Sequence, residues 1–347
     1  MQHSQGTMRI HLSTIVFFLF AFSFQAGGQH DILRGTVVDG GTRQPLAFVN
    51  VTYGSPAKGT STDIDGQFSI SVPPGVGEIR FSYVGYRKDT FQVARPLPDT
   101  SVVIGLAQSP YSLEGVVVRP GANPANRVIK KAYQNRKRND PENLSSFSYR
   151  SYNKIVFTID STQRSPLTGG SGQVDSSVIR LRDRMQEQHL MLMESVSKRK
   201  YMSPGRNKEE VLASRVSGFK DPSLAFLATQ FQSFSFYNDF IELGNDQYLN
   251  PISKNSWQKY FFHLEDTLFS QRNDTIFVIS YRPKRGAIFE ALSGVLHINT
   301  HGYALQSVTA EPWEPPADLS VKIQQKYELV DGHQWFPYQL NTRLKFK

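Results

Sequence analysis

LRGTVVDGGTRQPLAFVNVTYGSPAKGTSTDIDGQFSISVPPGVGEIRFSYVGYRK, residues 33–88, alternates short β-forming runs with turn residues. Leu33 to Val38 reads LRGTVV and ends at Asp39-Gly40-Gly41. Leu46 to Val51 (LAFVNV) leads into Tyr53-Gly54-Ser55-Pro56. Gln67 to Val72 (QFSISV) stands between Asp65-Gly66 and Pro73-Pro74-Gly75. Ile79 to Val84 (IRFSYV) precedes Gly85-Tyr86, and Thr90–Val93 and Ser101–Leu106 complete the set. Strands at this spacing, divided by Gly, Pro and Asp, predict a β-sandwich over residues 31–107. Phe68, Ile70 and Val72 alternate with Ser69 and Ser71, so one face of that strand is apolar.

Asp63-Ile64-Asp65-Gly66 has the alternating acids of a calcium loop, but position 72, where such a loop places its glutamate, is Val72. The same residues suit a hairpin turn. Asp63 and Asp65 can bond nearby backbone, and Gly66 can supply a positive φ. The turn is the expectation.

Gly35-Thr36-Val37 with Asp39, Pro45-Leu46, Val49-Asn50-Val51, Gly59-Thr60, Asp65-Gly66 and Ser82-Tyr83-Val84-Gly85-Tyr86 together resemble the carboxypeptidase regulatory-like domain. The resemblance implies a prealbumin-like, seven-stranded β-sandwich without catalytic residues. It also implies a setting in Gram-negative envelopes, where such sandwiches often precede outer-membrane barrels.

Toward the N-terminus, Met8-Arg9-Ile10-His11 is a short basic start, Ile15–Phe24 (IVFFLFAFSF) is an apolar run, and Ala26, Gly27 and Gly28 follow. This pattern is a secretory signal peptide over residues 1–28, with cleavage expected near Gly28–Gln29 and Met8 a second candidate start. Ten apolar residues are too few to span a bilayer comfortably, which takes roughly 20. An exported chain is expected in the periplasm or outer membrane of a Gram-negative bacterium.

Toward the C-terminus, Leu113–Val118 is a β run and Arg119-Pro120-Gly121-Ala122 breaks it, which makes residues 108–122 a linker. Asn123 and Pro124 then open a helix carrying Val128, Ile129, Ala132 and Tyr133 through about Arg138. Its other face holds Arg127, Lys130, Lys131 and Arg136-Lys137-Arg138, either a solvated face or a surface for anionic lipid. Phe147–Ile159 reads as a strand, 161–175 as a loop, and Glu209–Arg215 and Ser223–Phe231 as short helical turns. In the last third, Lys259–Leu264, Thr275–Tyr281, Gly294–Ile298 and Tyr303–Ala310 are strands. Val321 to Leu329 and Phe336 to Phe346 also alternate. Residues 123–347 should therefore form an α+β domain dominated by a curved antiparallel β meander, in a chain that is mainly β.

NPANRVIKKAYQNR (123–136), SFSYRSYNK (146–154), RVSGFKDPSLAFLATQFQSFSFYNDFI (215–241) and YLNPISKNSWQKYFFHLEDT (248–267) resemble an uncharacterised envelope family with such a sandwich at its N-terminus. Its members commonly continue into an outer-membrane β-barrel. Here Asn341–Lys347 is still alternating at the last residue, so truncation before a barrel is an expectation. The family supplies no catalytic residues.

Composition narrows the chemistry. The 347 residues are 39% hydrophobic and 20% charged and include no cysteine. That removes disulfides, thiolate nucleophiles and a lipoprotein's anchoring cysteine. Beyond residue 28 the chain has 38 Lys and Arg against 30 Asp and Glu, a net +8. Export argues against nucleic acid and leaves lipid or glycan surfaces. The eight histidines form no H-E-x-x-H pair, and His297 and His301 stand on a strand and its turn. Nucleophile-elbow and phosphate-loop patterns are absent. Glu209-Glu210 and Glu265-Asp266 are adjacent, which on a strand points them apart. Arg180, Arg182 and Arg184 would share a strand face and could meet an anionic surface, with Lys198-Arg199-Lys200 near. No metal or cofactor is expected. The expected role is a non-enzymatic periplasmic binding or scaffolding portion of an outer-membrane protein, with outer-membrane or envelope proteins as partners. The alternative is a periplasmic carrier of an apolar ligand, lipid or lipoprotein, in the curved sheet.

Overall fold

The computed structural model describes residues 31–98, 100–109, 123–159, 191–218, 235–243, 246–270, 274–317 and 319–346. Seven strands make the N-terminal sandwich: β1 (Asp31–Asp39), β2 (Asn50–Tyr53), β3 (Lys58–Ser61), β4 (Gln67–Val72), β5 (Glu78–Ser82), β6 (Asp89–Gln92) and β7 (Val102–Leu106). One sheet has the order β4-β1-β7, with β1 antiparallel to β4 and parallel to β7. The other is β3-β2-β5-β6. The alternation in β4 does what its pattern asks: Phe68, Ile70 and Val72 are buried against Leu33, Val51, Ile79, Phe81 and Leu106. Each such side chain removed from water stabilises by about 2 kcal/mol.

After the sandwich come helix α1 (Pro124–Asn139) and a 3-10 turn (Pro141–Asn143). Next are β8 (Ser146–Ile159), β9 (Met191–Met202) and β10 (Arg206–Gly218). The hairpin β11 (Phe240–Leu243) and β12 (Asp246–Leu249) leads to a short helix α2 (Ser256–Lys259). The meander follows: β13 (Tyr260–Ser270), β14 (Thr275–Pro283), β15 (Leu292–Asn299), β16 (Ala304–Pro312), β17 (Leu319–Val330) and β18 (Gln334–Phe346). Residues Glu209–Arg215, expected as a helical turn, are part of strand β10, which pairs antiparallel with β9 from Arg206 to Gly218. Glu, Leu and Ala favour a helix locally, but the ladder to β9 satisfies the backbone in extended form. The expected elements at Leu113–Val118 and Ser223–Phe231, and the 1–28 signal segment, lie outside the described residues.

All the strands of the second region except β11 and β12 join the β3-β2-β5-β6 sheet of the sandwich. The combined curved sheet has thirteen strands in the order β10-β9-β8-β18-β17-β16-β15-β14-β13-β3-β2-β5-β6. Two contacts are parallel: β8 beside β18, and a short junction where Phe269 and Ser270 pair with Lys58 and Gly59.

The meander has two unlike faces. Val321, Ile323, Tyr327, Leu344, Leu296 and Val308 lie on one, in the main core. Helix α1 covers it with Ala125, Val128, Ile129 and Ala132, and the stretch after residue 235 adds Phe236, Tyr237, Tyr248 and Ile252. Asn123 fixes how the helix enters. Its Oδ1 accepts from Ala125 N at 2.9 Å, and its Nδ2 donates to the Phe262 carbonyl at 2.7 Å. Asn139 fixes the exit, donating to the Gly302 carbonyl at 2.8 Å. The opposite face carries Lys322, Gln324 and Lys326 on β17 and Gln339, Asn341 and Arg343 on β18, and the sandwich sits against it.

Candidate functional site: the seam between sandwich and sheet

The seam is built from two short connections of the sandwich. One holds Gln44 to Val49, the other Thr62 to Gly66. Thr62 Oγ1 ties them together, donating to the Leu46 carbonyl and accepting from Val49 N. This presents Ala47, Phe48 and Ile64 as a small apolar foot, packed with Tyr152 of β8. Phe48 adopts φ +64°, a strained conformation, and its ring meets that of His297 edge-on. Around the foot the contacts are polar. Asn50 Oδ1 meets His297 Nε2 at 3.2 Å, Lys154 pairs with Asp65, and Gln44 Oε1 accepts from Arg343 Nη1 at 2.6 Å.

His297 is fully enclosed. Burial, with Lys326 as a second cause, pushes its pKa down to about 4. The ring is therefore neutral near pH 7, its Nε2–H donates to Asn50, and Nδ1 has no partner.

Asp63 and Asp65 divide two tasks. Asp63 Oδ1 accepts from Asp65 N and Gln67 N, both at 2.9 Å, while Asp65 reaches across to Lys154. Gly66 has φ +73°, and its carbonyl accepts from Val37 N at 2.8 Å. This is turn geometry with the carboxylates already engaged. Among the described residues no three His, Asp or Glu side chains gather as a metal site.

Two clefts open along the seam. One, of about 350 Å³, lies between Asp39, Gln44, Tyr83 and Tyr86 of the sandwich and Glu311, Lys322 and Arg343 of the sheet. The other, of about 560 Å³, is bordered by Arg34, Asp63, Lys326 and Tyr338. In the first, Asp39 accepts from Gly41 N, Thr42 N, Tyr86 Oη and Gln108 Nε2, at 2.6 to 2.9 Å. Burial opposes its charge, but these four donors outweigh it and hold the carboxyl well below the usual range. Lys322 pairs with Glu311 at 2.8 Å. Arg343 is half-buried, and its Nε has no hydrogen-bond partner. Burial lowers the pKa of Arg343, and of Lys326 in the second cleft. The carboxylates of Asp39 and Glu311 are engaged as acceptors here, so the arrangement fastens and holds.

Other sequence candidates fall elsewhere. Arg180, Arg182 and Arg184 lie outside the described residues. Lys198-Arg199-Lys200 is split by the pleat of β9: Arg199 is buried and bonds Glu142 at 2.7 Å and Asn207 at 3.0 Å, whereas Lys200 is exposed. Glu265 and Asp266 do not follow simple alternation, because β13 bulges between Leu264 and Asp266. Glu265 accepts from Ser280 at 2.6 Å and Asp266 from Ser82 of the sandwich at 3.4 Å. The cations of the seam were missed in sequence. Lys322 and Lys326 sit at the polar positions of an alternating strand, which is also how a solvated strand reads.

Residues 33–118 match the CarboxypepD_reg-like domain. A further similarity is to TonB-dependent receptor P3 of Formosa agariphila, 27% identical over 106 residues, 30% of this chain. The match spans only 10% of that receptor's length. No solved structure matches. Residues 128–347 match the family of unknown function DUF5686. The chain thus belongs to the DUF5686 family and carries a CarboxypepD_reg-like sandwich at its N-terminus.

Proposed function

We propose that this chain is a non-enzymatic envelope protein, the periplasmic binding and scaffolding portion of an outer-membrane protein. The observation that carries this reading is the seam. The sandwich is held on the sheet by the Phe48 foot, by the Asn50–His297 and Asp65–Lys154 contacts and by the β3–β13 junction. Such an arrangement sets a binding module at a fixed angle, and its carboxylates serve that fixing. The similarity to a TonB-dependent receptor and the secretory pattern of residues 1–28 support the envelope address. The carrier reading has less support, because the apolar face of the meander is filled by α1 and by Phe236, Tyr237 and Ile252 of the same chain.

The test is cell fractionation with protease access, using a tagged full-length protein in a Gram-negative host. Protection in intact cells and digestion once the outer membrane is opened is the expected pattern. Retention in the cytoplasm, or turnover of peptide, ester or phosphoester substrates by the purified protein, would sink the proposal.

A further inference from the structure

The exposed face of α1 has no acidic residue. Arg127, Lys130, Lys131, Lys137 and Arg138 are exposed along it, while Ala125, Val128, Ile129 and Ala132 are buried beneath. The basic stripe continues onto the neighbouring elements through Trp257 of α2. Lys130 Nζ lies 5.2 Å from the Trp257 ring, Tyr133 meets that ring edge-on, and Lys284 Nζ donates to the Trp257 carbonyl at 3.3 Å. Lys284 opens the β14–β15 loop, in which Arg285 and Ile288 are exposed. Ile288 is 100% exposed, a bare apolar tip on that loop. Beside it, Phe289 is half-buried and has Lys259 Nζ 5.7 Å from its ring. Acids border it at Glu290 on the loop's end, at exposed Asp246, which shares Tyr248 with Glu290, at Asp140 on the helix C-terminus and at Asp239, which pairs with Arg136.

One surface thus combines a row of cations, a half-buried Trp and Phe among them, and a bare aliphatic tip. A soluble acidic partner would answer the cations and leave Ile288 in water. A bilayer answers both, with headgroup phosphates for the cations and acyl chains for the tip, and aromatic rings favour the boundary between them. We infer that α1 and the Lys284–Phe289 loop form a peripheral membrane-contact surface for anionic phospholipid. The inference stands on this surface alone and does not depend on the seam or on the scaffolding role.

The test is co-sedimentation of the purified protein with phosphatidylethanolamine vesicles, with and without phosphatidylglycerol. Binding is expected to the mixed vesicles only, and to weaken as salt is raised toward an ionic strength of about 1 M. Lys130→Glu with Lys284→Glu should lower the partition coefficient at least about tenfold. Ile288→Asp should lower it about fivefold without touching any packing. Lys208→Glu, on exposed β10, should leave binding unchanged. Circular dichroism of each variant separates lost binding from lost folding. Protein that stays in the supernatant with mixed vesicles overturns the inference. So does binding that survives both patch variants, or binding that ignores Ile288→Asp and is competed fully by inorganic polyphosphate. The last result marks a general polyanion surface, and none of the three bears on the envelope reading.

Discussion

His297 carries its environment in its titration. The ring is buried with a pKa near 4, against 6.5 for an ordinary histidine. Between those values the unfolded chain binds a proton that the folded one refuses. Stability therefore falls as pH drops through that window, by up to about 3 kcal/mol, and is constant from this source above it. Melting curves from neutral pH down to about 4 should show this slope, and His297→Gln should flatten it relative to the parent. If parent and variant run parallel, the ring is not enclosed as described. Gly66 makes a second test. A Cβ there would come within 2.5 Å of the Val37 carbonyl oxygen, at φ +73°. Gly66→Ala should cost about 2 kcal/mol in chemical denaturation. The glycine, its flanking acids and the turn were legible in sequence. The burial of His297 was not, since it follows from the sandwich docking on that strand, a contact between residues 247 positions apart.

Among the elements, α1 was the most readable. Asn123 and Pro124 announce its start, and the apolar spacing of Val128, Ile129 and Ala132 gives its buried face. Asn123→Ala removes both the cap and the bond to the Phe262 carbonyl, and should lower stability by about 1–2 kcal/mol in a denaturant titration. A smaller loss than Asn123→Asp, which keeps the cap and drops only the Phe262 bond, would contradict the double role. Strand β10 was the least readable. It is exposed at every position, so neither alternation nor an apolar run marks it. Only its ladder with β9 makes it a strand. The polar face of β17 and β18 was legible as a pattern, yet the pattern of a solvated strand and of a docked polar seam is the same.

For the whole molecule, the seam predicts coupled unfolding. The sandwich core and the meander core are separate apolar clusters joined through the Phe48 foot, the Asn50–His297, Asp65–Lys154, Gln44–Arg343 and Ser82–Asp266 contacts and the short β3–β13 pairing. The parent should show one calorimetric transition. Phe48→Ala, which empties the foot at a cost of about 3 kcal/mol, should split or broaden it. A single sharp transition in that variant would mean the two regions are coupled elsewhere. The parallel pairing of β8 with β18 has a consequence in time. Strand β18 lies between β17 and β8, so Tyr152 finds its neighbour Gln339 only when nearly two hundred further residues have appeared. A chain emerging from a ribosome or a translocation pore must hold β8, β9 and β10 waiting until β18 arrives. Strand pairings at that separation close slowly. Until then the aromatic row of Phe147, Tyr149 and Tyr201 stands uncovered beside the place Phe336 will fill, and it is there that a chaperone would have something to hold.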